Sequence, residues 1–85
     1  MIKQDRRELK RIDLDVLIRL LNILPEISPI GITSLQMKTG IKHSACIKYI
    51  SFLERLGLVR LVIDGRNKYV SITDRGKETV KILTA

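Results

Sequence analysis

Residues 42–76 constrain the fold of this 85-residue chain more than any other stretch. Projected at about 100° per residue, Cys46, Tyr49, Ile50, Leu53 and Leu56 fall on one side of a helix. Ser44, Lys48, Ser51 and Arg55 fall on the other. The first set demands a core, and the second demands water or a charged partner. Gly57 stands where a helix closes in the left-handed conformation. Two β-branched runs, 58–63 and 68–72, then flank a polar loop containing Asp64-Gly65, which is a hairpin signal. Thr73-Asp74-Arg75-Gly76 opens a fresh helix, expected to reach about residue 83. That order reads as a two-faced helix presented for contact, followed at once by a hairpin with a basic tip.

Upstream, residues 13–24 form a first helix. Asp13 is placed to cap it, Asp15 suits the positive end of its dipole, and Pro25 is expected to stop it. Pro29-Ile30-Gly31-Ile32 reads as a short extended link. A second, short helix is expected over 33–39, opened by the capping-box pair Thr33 and Gln36 and ended by Gly40. The third helix covers 42–56. The expected fold is α+β and mostly helical: a three-helix core, a two-stranded hairpin and an additional C-terminal helix. Residues 12–85 make one domain, preceded by a basic arm, 1–11, with Lys3, Arg6, Arg7, Lys10 and Arg11 against Asp5 and Glu8.

This length is near the lower limit for a single apolar core. A chain that is 45% hydrophobic but only 4% aromatic packs a compact interior with little room for a deep substrate cavity. The single cysteine, Cys46, excludes an intramolecular disulfide and points to a reducing, cytoplasmic setting. One His and one Cys fall short of a metal-sensing set, so no cofactor is expected. No signal peptide is visible, and the longest apolar-rich run, 14–24, is interrupted by Arg19 and Asn22 and is too short to span a bilayer. Paired carboxylates, nucleophile triads and phosphate-cradling glycine loops are missing, so the sequence reads as a non-enzyme. His43 reads as a surface or capping residue rather than a catalyst, and Cys46 as a small buried hydrophobe.

A net charge of +7 attracts polyanions, and its placement narrows the partner. A short helix ending at Gly40, followed directly by the two-faced helix, is the helix-turn-helix pattern, whose second helix enters the DNA major groove. Small Ser44 and Ser51 allow close approach, and Lys48 and Arg55 can reach bases or phosphates. Lys42 and His43 sit at the helix start, where free N–H groups also attract phosphate. Arg66, Asn67 and Lys68 put donors on the hairpin tip, suited to the backbone or minor groove. The same features also fit a solvated amphipathic helix and an edge strand protected by charge. Ile47 and Phe52, flanking the polar side, suit neither reading well.

The runs Tyr49-Ile50-Ser51-Phe52-Leu53-Glu54-Arg55-Leu56-Gly57-Leu58-Val59 and Tyr69-Val70-Ser71-Ile72-Thr73-Asp74-Arg75-Gly76 carry a family resemblance. They resemble the winged helix-turn-helix DNA-binding domains of small archaeal and bacterial transcriptional regulators, akin to the MarR, ArsR and PadR groups. The resemblance spans about residues 13–83. It implies that Ser44, Lys48, Ser51 and Arg55 face the DNA groove, that Arg66 and Lys68 form the wing tip, and that the protein acts as a homodimer on double-stranded DNA. It leaves any small-molecule effector unknown.

The first helix is apolar on more than one side. Leu14, Leu17, Ile18, Leu21 and Leu24 form a stripe for the domain core. Val16, Leu20 and Ile23 form a second stripe, expected to meet Val80 and Leu83 of a second copy in a two-fold dimer; the alternative is that the last helix of the same chain covers it. The leading expectation is a dimeric transcription regulator. An architectural, sequence-independent DNA binder and a winged-helix protein-interaction module are the alternatives.

Overall fold

The computed structural model describes residues 12–84; the basic arm lies outside the described residues. Helix α1 (Leu14–Ile27) starts as its sequence asks, with the Asp13 carboxylate accepting from the Asp15 N–H at 2.9 Å. Pro25 lies inside the helix rather than ending it. In the last turn a proline forfeits one donor while its fixed φ stays helical. The helix ends two residues later, where the Ser28 N–H bonds Leu24 O at 2.8 Å.

Strand β1 (Ile30–Gly31) leads straight into helix α2 (Ile32–Thr39). The expected capping box does not form. The N-cap is Gly31, without a side-chain cap, and the Gln36 amide turns instead to His43. Gly40, at φ 73°, closes α2 with its N–H on Gln36 O at 2.7 Å.

Helix α3 (His43–Arg55) ends in a Schellman pattern: Gly57, at φ 76°, donates to Glu54 O at 2.9 Å, and Leu58 donates to Leu53 O at 3.0 Å. Strands β2 (Val59–Asp64) and β3 (Asn67–Ile72) pair from Val59↔Ile72 to Asp64↔Asn67. Their connection is only Gly65-Arg66, with Gly65 at φ 63°, a tighter turn than the polar run 64–68 predicts. β1 pairs with the other edge of β3, Ile30↔Val70 and Gly31↔Tyr69, giving a three-stranded antiparallel sheet in the order β1-β3-β2. The Ser28 hydroxyl lengthens that edge, accepting from the Ile72 N–H at 2.8 Å. Helix α4 (Asp74–Thr84) follows β3 directly.

The core joins Leu17, Leu20, Leu21 and Leu24 of α1 to Leu35 of α2, to Cys46, Tyr49, Ile50 and Leu53 of α3, and to Val59, Val70 and Ile72 of the sheet. Two expectations for α1 are corrected. Leu20 is fully buried rather than part of an outer stripe, and Leu14 is 67% exposed rather than in the core. The physical reason is that α1 is covered from more than one side: β3 and α4 of the same chain both contact it, and Val16 and Val80 pack against the core. The alternative in which the last helix folds back within one chain therefore accounts for much of the second stripe.

Candidate nucleic-acid interface

Helix α3 is held by its apolar face and offers its polar face outward. Cys46, Ile50 and Leu53 are fully buried. Tyr49 is buried as well, and its hydroxyl accepts from the Asp13 N–H at 2.9 Å, tying the middle of α3 to the start of α1. Ile47 and Phe52, awkward in the sequence, are half-buried against the core. That leaves Ser44, Ser51 and Arg55 exposed and Lys48 half-buried on the opposite side. Burial pushes the Cys46 thiol above its ordinary value, so it remains a protonated, unreactive packing group.

At the helix start, Lys42 is the N-cap and His43 the first helical residue, both exposed. The Gln36 amide nitrogen meets His43 Nδ1, so α2 and α3 are linked at the surface as well as through the core. Gln36 thus joins α2 to the start of α3, a contact its sequence position as a capping-box partner did not reveal.

The two-residue turn decides where the hairpin cations point. Alternation along the strands puts Val59/Ile72, Leu61/Val70 and Ile63/Lys68 on one face of the sheet. The first two pairs carry core residues, so Lys68 lies on the side that faces the body of the domain rather than at the outermost tip. Arg66 occupies the turn, and Asn67 pairs with Asp64 on the other face. All three are exposed.

Between hairpin and helices runs an open trough of about 410 Å³. Ile32 and Thr33 of α2, His43 and Ile47 of α3, Arg66 of the turn, and Asn67, Lys68 and Tyr69 of β3 line it. Gly31 is part of its wall, and the Tyr69 ring lies 3.9 Å from where a side chain on Gly31 would begin. Thr33 and Tyr69 escaped the sequence reading, because only the pairing of β1 with β3 brings them to the site. Lys42, Ser44, Ser51 and Arg55 do not line the trough; they continue the surface along α3.

Charge across this surface is uncompensated. Among the described residues the ion pair within 4.0 Å is Lys81–Glu78, on exposed α4. None of Lys42, Lys48, Arg55, Arg66 or Lys68 pairs with a described carboxylate. No described group of three His, Cys, Asp or Glu side chains is arranged to hold a metal ion. No described helix is long and apolar enough to cross a membrane.

The residues expected at a dimer interface differ in exposure. Leu20 is buried; Val16, Ile23 and Val80 are half-buried; Leu83 is 48% exposed. The exposed apolar groups on these two helices are Leu14 on α1 and Ile82 and Leu83 on α4.

No family model matches the sequence, and no curated protein matches it. Solved structures do match. Rv1404 from Mycobacterium tuberculosis superposes with a TM-score of 0.76 at 24% identity, over 88% of this chain and 52% of that one. A MarR-family transcriptional regulator from Silicibacter pomeroyi gives 0.76 at 26% identity, over 81% of this chain and 48% of that one. AF1382 from Archaeoglobus fulgidus gives 0.71 at 22% identity, over 92% and 89%. The chain spans about half the length of Rv1404 and of the Silicibacter pomeroyi regulator. The fold is the winged helix-turn-helix fold of MarR-family regulators, and it is α+β and mostly helical, as the sequence predicts.

Proposed function

From a MarR-like winged helix with an unpaired cationic face, we infer that this chain binds double-stranded DNA as a dimeric transcriptional regulator. In this reading α3 enters the major groove, about 12 Å wide. Ser44 and Ser51 let the backbone come close, Arg55 reads base edges, and Lys48, half-sunk beside Ile47, reaches the groove wall. Lys42 and His43 meet phosphate at the helix start. Arg66, Asn67 and Lys68 hold the adjacent backbone or minor groove. The protein acts as a binder and not a catalyst, located where the DNA is, and needs no cofactor for this contact.

The observation that carries the reading is the common surface of α3 and the wing. The two elements border one trough, and no described acidic side chain neutralises their cations. A merely solvated helix has no need of a second cationic element folded beside it. Selection of bound sequences from a random duplex pool tests it. An enriched palindrome is expected, and Arg55→Ala should weaken binding to that palindrome by about 1–3 kcal/mol more than to unrelated DNA. Equal loss on both would leave an architectural binder instead, and no retention near physiological salt would favour a protein-interaction module.

For the dimer, α1 and α4 supply the surface, with Leu14, Ile82 and Leu83 exposed and Val16, Ile23 and Val80 partly so. A two-fold pair should set its recognition helices about 34 Å apart, one DNA turn. Sedimentation giving a monomer at micromolar concentration would remove this part of the reading.

A further inference from the structure

The sheet has one closed edge and one open edge. On the β1 side the strand is two residues long, is lengthened by the Ser28 hydroxyl and runs straight into α2. On the β2 side the strand is six residues long, with no proline and no break in its register against β3. Two hydrogen bonds show which backbone groups that edge offers. Thr73 N–H donates to Leu58 O, so position 58 and, by alternation, Arg60, Val62 and Asp64 turn their N–H and C=O groups toward β3. The Ile72 N–H donates to Ser28 on the β1 side. Its partner Val59, and with it Leu61 and Ile63, therefore turn theirs to the free edge. Among the described residues no turn, loop or cap hydrogen bond reaches these three positions.

Sheets commonly blunt such an edge with prolines, bulges, brevity or charges that repel a second strand. The charges of β2 are one of each sign. Arg60 and Asp64 share a face of the strand about 13 Å apart, too far to pair with each other. Neither forms an ion pair with a described residue. Midway between them Val62 is 42% exposed, and the neighbouring Ile63 is 67% exposed, apolar surface for which the DNA-binding reading has no use. The strand is self-complementary about Val62. In an antiparallel pair of two copies centred there, Val62 meets Val62, Leu61 meets Ile63, and Arg60 meets Asp64 at both ends. Leu61 and Ile63 then form the hydrogen-bonded pairs, using the groups that the free edge offers. Val62, Arg60 and Asp64 fall in the non-hydrogen-bonded pairs, where side chains come closest. Centring on Leu61 sets Arg60 against Val62 and Asp64 against Leu58. Centring on Ile63 sets Arg60 against Arg66. Backbone pattern and charge together select the Val62 register.

We propose that β2 is a self-association edge, through which two copies of this chain pair antiparallel about Val62 with Arg60 opposite Asp64 at both ends. The pairing joins two three-stranded sheets into one continuous sheet. It is separate from the contact assigned above to α1 and α4, and it uses none of the residues assigned to DNA.

The experiment uses the full chain, without DNA, under a mild oxidant and a denaturing, non-reducing gel. In the Val62→Cys variant two thiols face each other across a non-hydrogen-bonded pair, with Cα atoms about 4.5 Å apart, inside the range of about 4.4–6.8 Å that a disulfide spans. In Arg60→Cys the two thiols lie roughly 13 Å apart along the paired strands. The native Cys46 is fully buried, and the wild-type chain supplies the background. Val62→Cys should form a covalent dimer at least about tenfold faster than Arg60→Cys. Adding Arg60→Asp to Val62→Cys sets Asp against Asp at both ends and should slow the link by about fivefold or more. Adding Asp64→Arg as well restores opposite charges and should restore the rate. Arg60, Val62 and Asp64 are all exposed, and matching urea midpoints confirm that the variants fold. A link that forms no faster at Val62→Cys than at Arg60→Cys overturns the proposal. So does a charge reversal without effect, or a double reversal that stays as slow as the single one. Duplex binding plays no part in any of these outcomes, so the DNA reading stands or falls separately.

Discussion

The two ends of the hairpin are built on opposite terms. At its base, β2 and β3 leave α3 and enter α4 through a joint with no slack. Thr73 N–H donates to Leu58 O at 3.1 Å, the Thr73 hydroxyl donates to Gly57 O at 2.7 Å, and the Gly76 N–H donates to that same hydroxyl at 3.0 Å. Gly76 is buried so closely that a side chain there would start 2.2 Å from Leu58 O and 2.7 Å from Ile72. At its tip, Ile63, Asp64, Gly65, Arg66, Asn67 and Lys68 are all exposed, and a side chain begun on Gly65 would meet nothing within 4 Å. The base fixes where the tip stands relative to α3. The tip can then carry charge without regard to packing. Rigidity and chemistry have been assigned to different ends of one element.

The contrast breaks first at Gly76. Gly76→Ala drives a methyl group into a backbone carbonyl, and neither α4 nor the Schellman turn can yield without parting the joint. The expected loss is about 3 kcal/mol or more, a large share of the roughly 5–15 kcal/mol that holds a domain together. Urea unfolding measures it; a midpoint close to wild type would mean that α4 is not held as tightly as the contact implies. Thr73→Val comes next. It keeps the volume but leaves the Gly57 carbonyl and the Gly76 N–H without their partner, for about 2 kcal/mol. Binding should fall in both variants only as the folded fraction falls, because neither residue reaches DNA in this reading.

The same contrast explains what was legible in the sequence. The two faces of α3 were plain because their pattern follows the helical period over the whole element and one face is wholly apolar. Leu20 was misplaced because a wheel gives an angle, not the identity of what comes to cover it; α4 closes over α1 from a part of the chain far downstream. Pro25 read as a stop because its position in the last turn, where one bond is all it forfeits, depends on where the helix ends. The Thr33 and Gln36 spacing was real but idle, since β1 runs directly into α2 and Gly31 takes the cap. Lys68 was assigned to the tip because the polar run looked like a long loop. A two-residue turn moves it one place into the strand, and strict alternation then turns it toward the body. Gly76 was seen only as part of a helix start, because its close approach exists only once Leu58 and α4 are brought together.

At the tip the effects on stability shrink. Gly65→Ala forces a side chain into the left-handed region with no neighbour to strike, so it should cost about 1 kcal/mol from backbone strain alone. Arg66→Ala should cost least, within about 0.5 kcal/mol, as for an exposed side chain without a described partner. Its effect belongs to binding. In the proposed reading its charge faces phosphate, so removing it should weaken all duplexes alike and reduce the slope of log affinity against log salt by about one. Thermal unfolding and a salt titration on the same variant separate the two ends of the hairpin. A change in melting temperature comparable to that of Thr73→Val would show the tip to be structural. An unchanged salt slope, with stability intact, would show that Arg66 does not face the nucleic-acid backbone, and the wing would lose its part in the interface while the base kept its part in the fold.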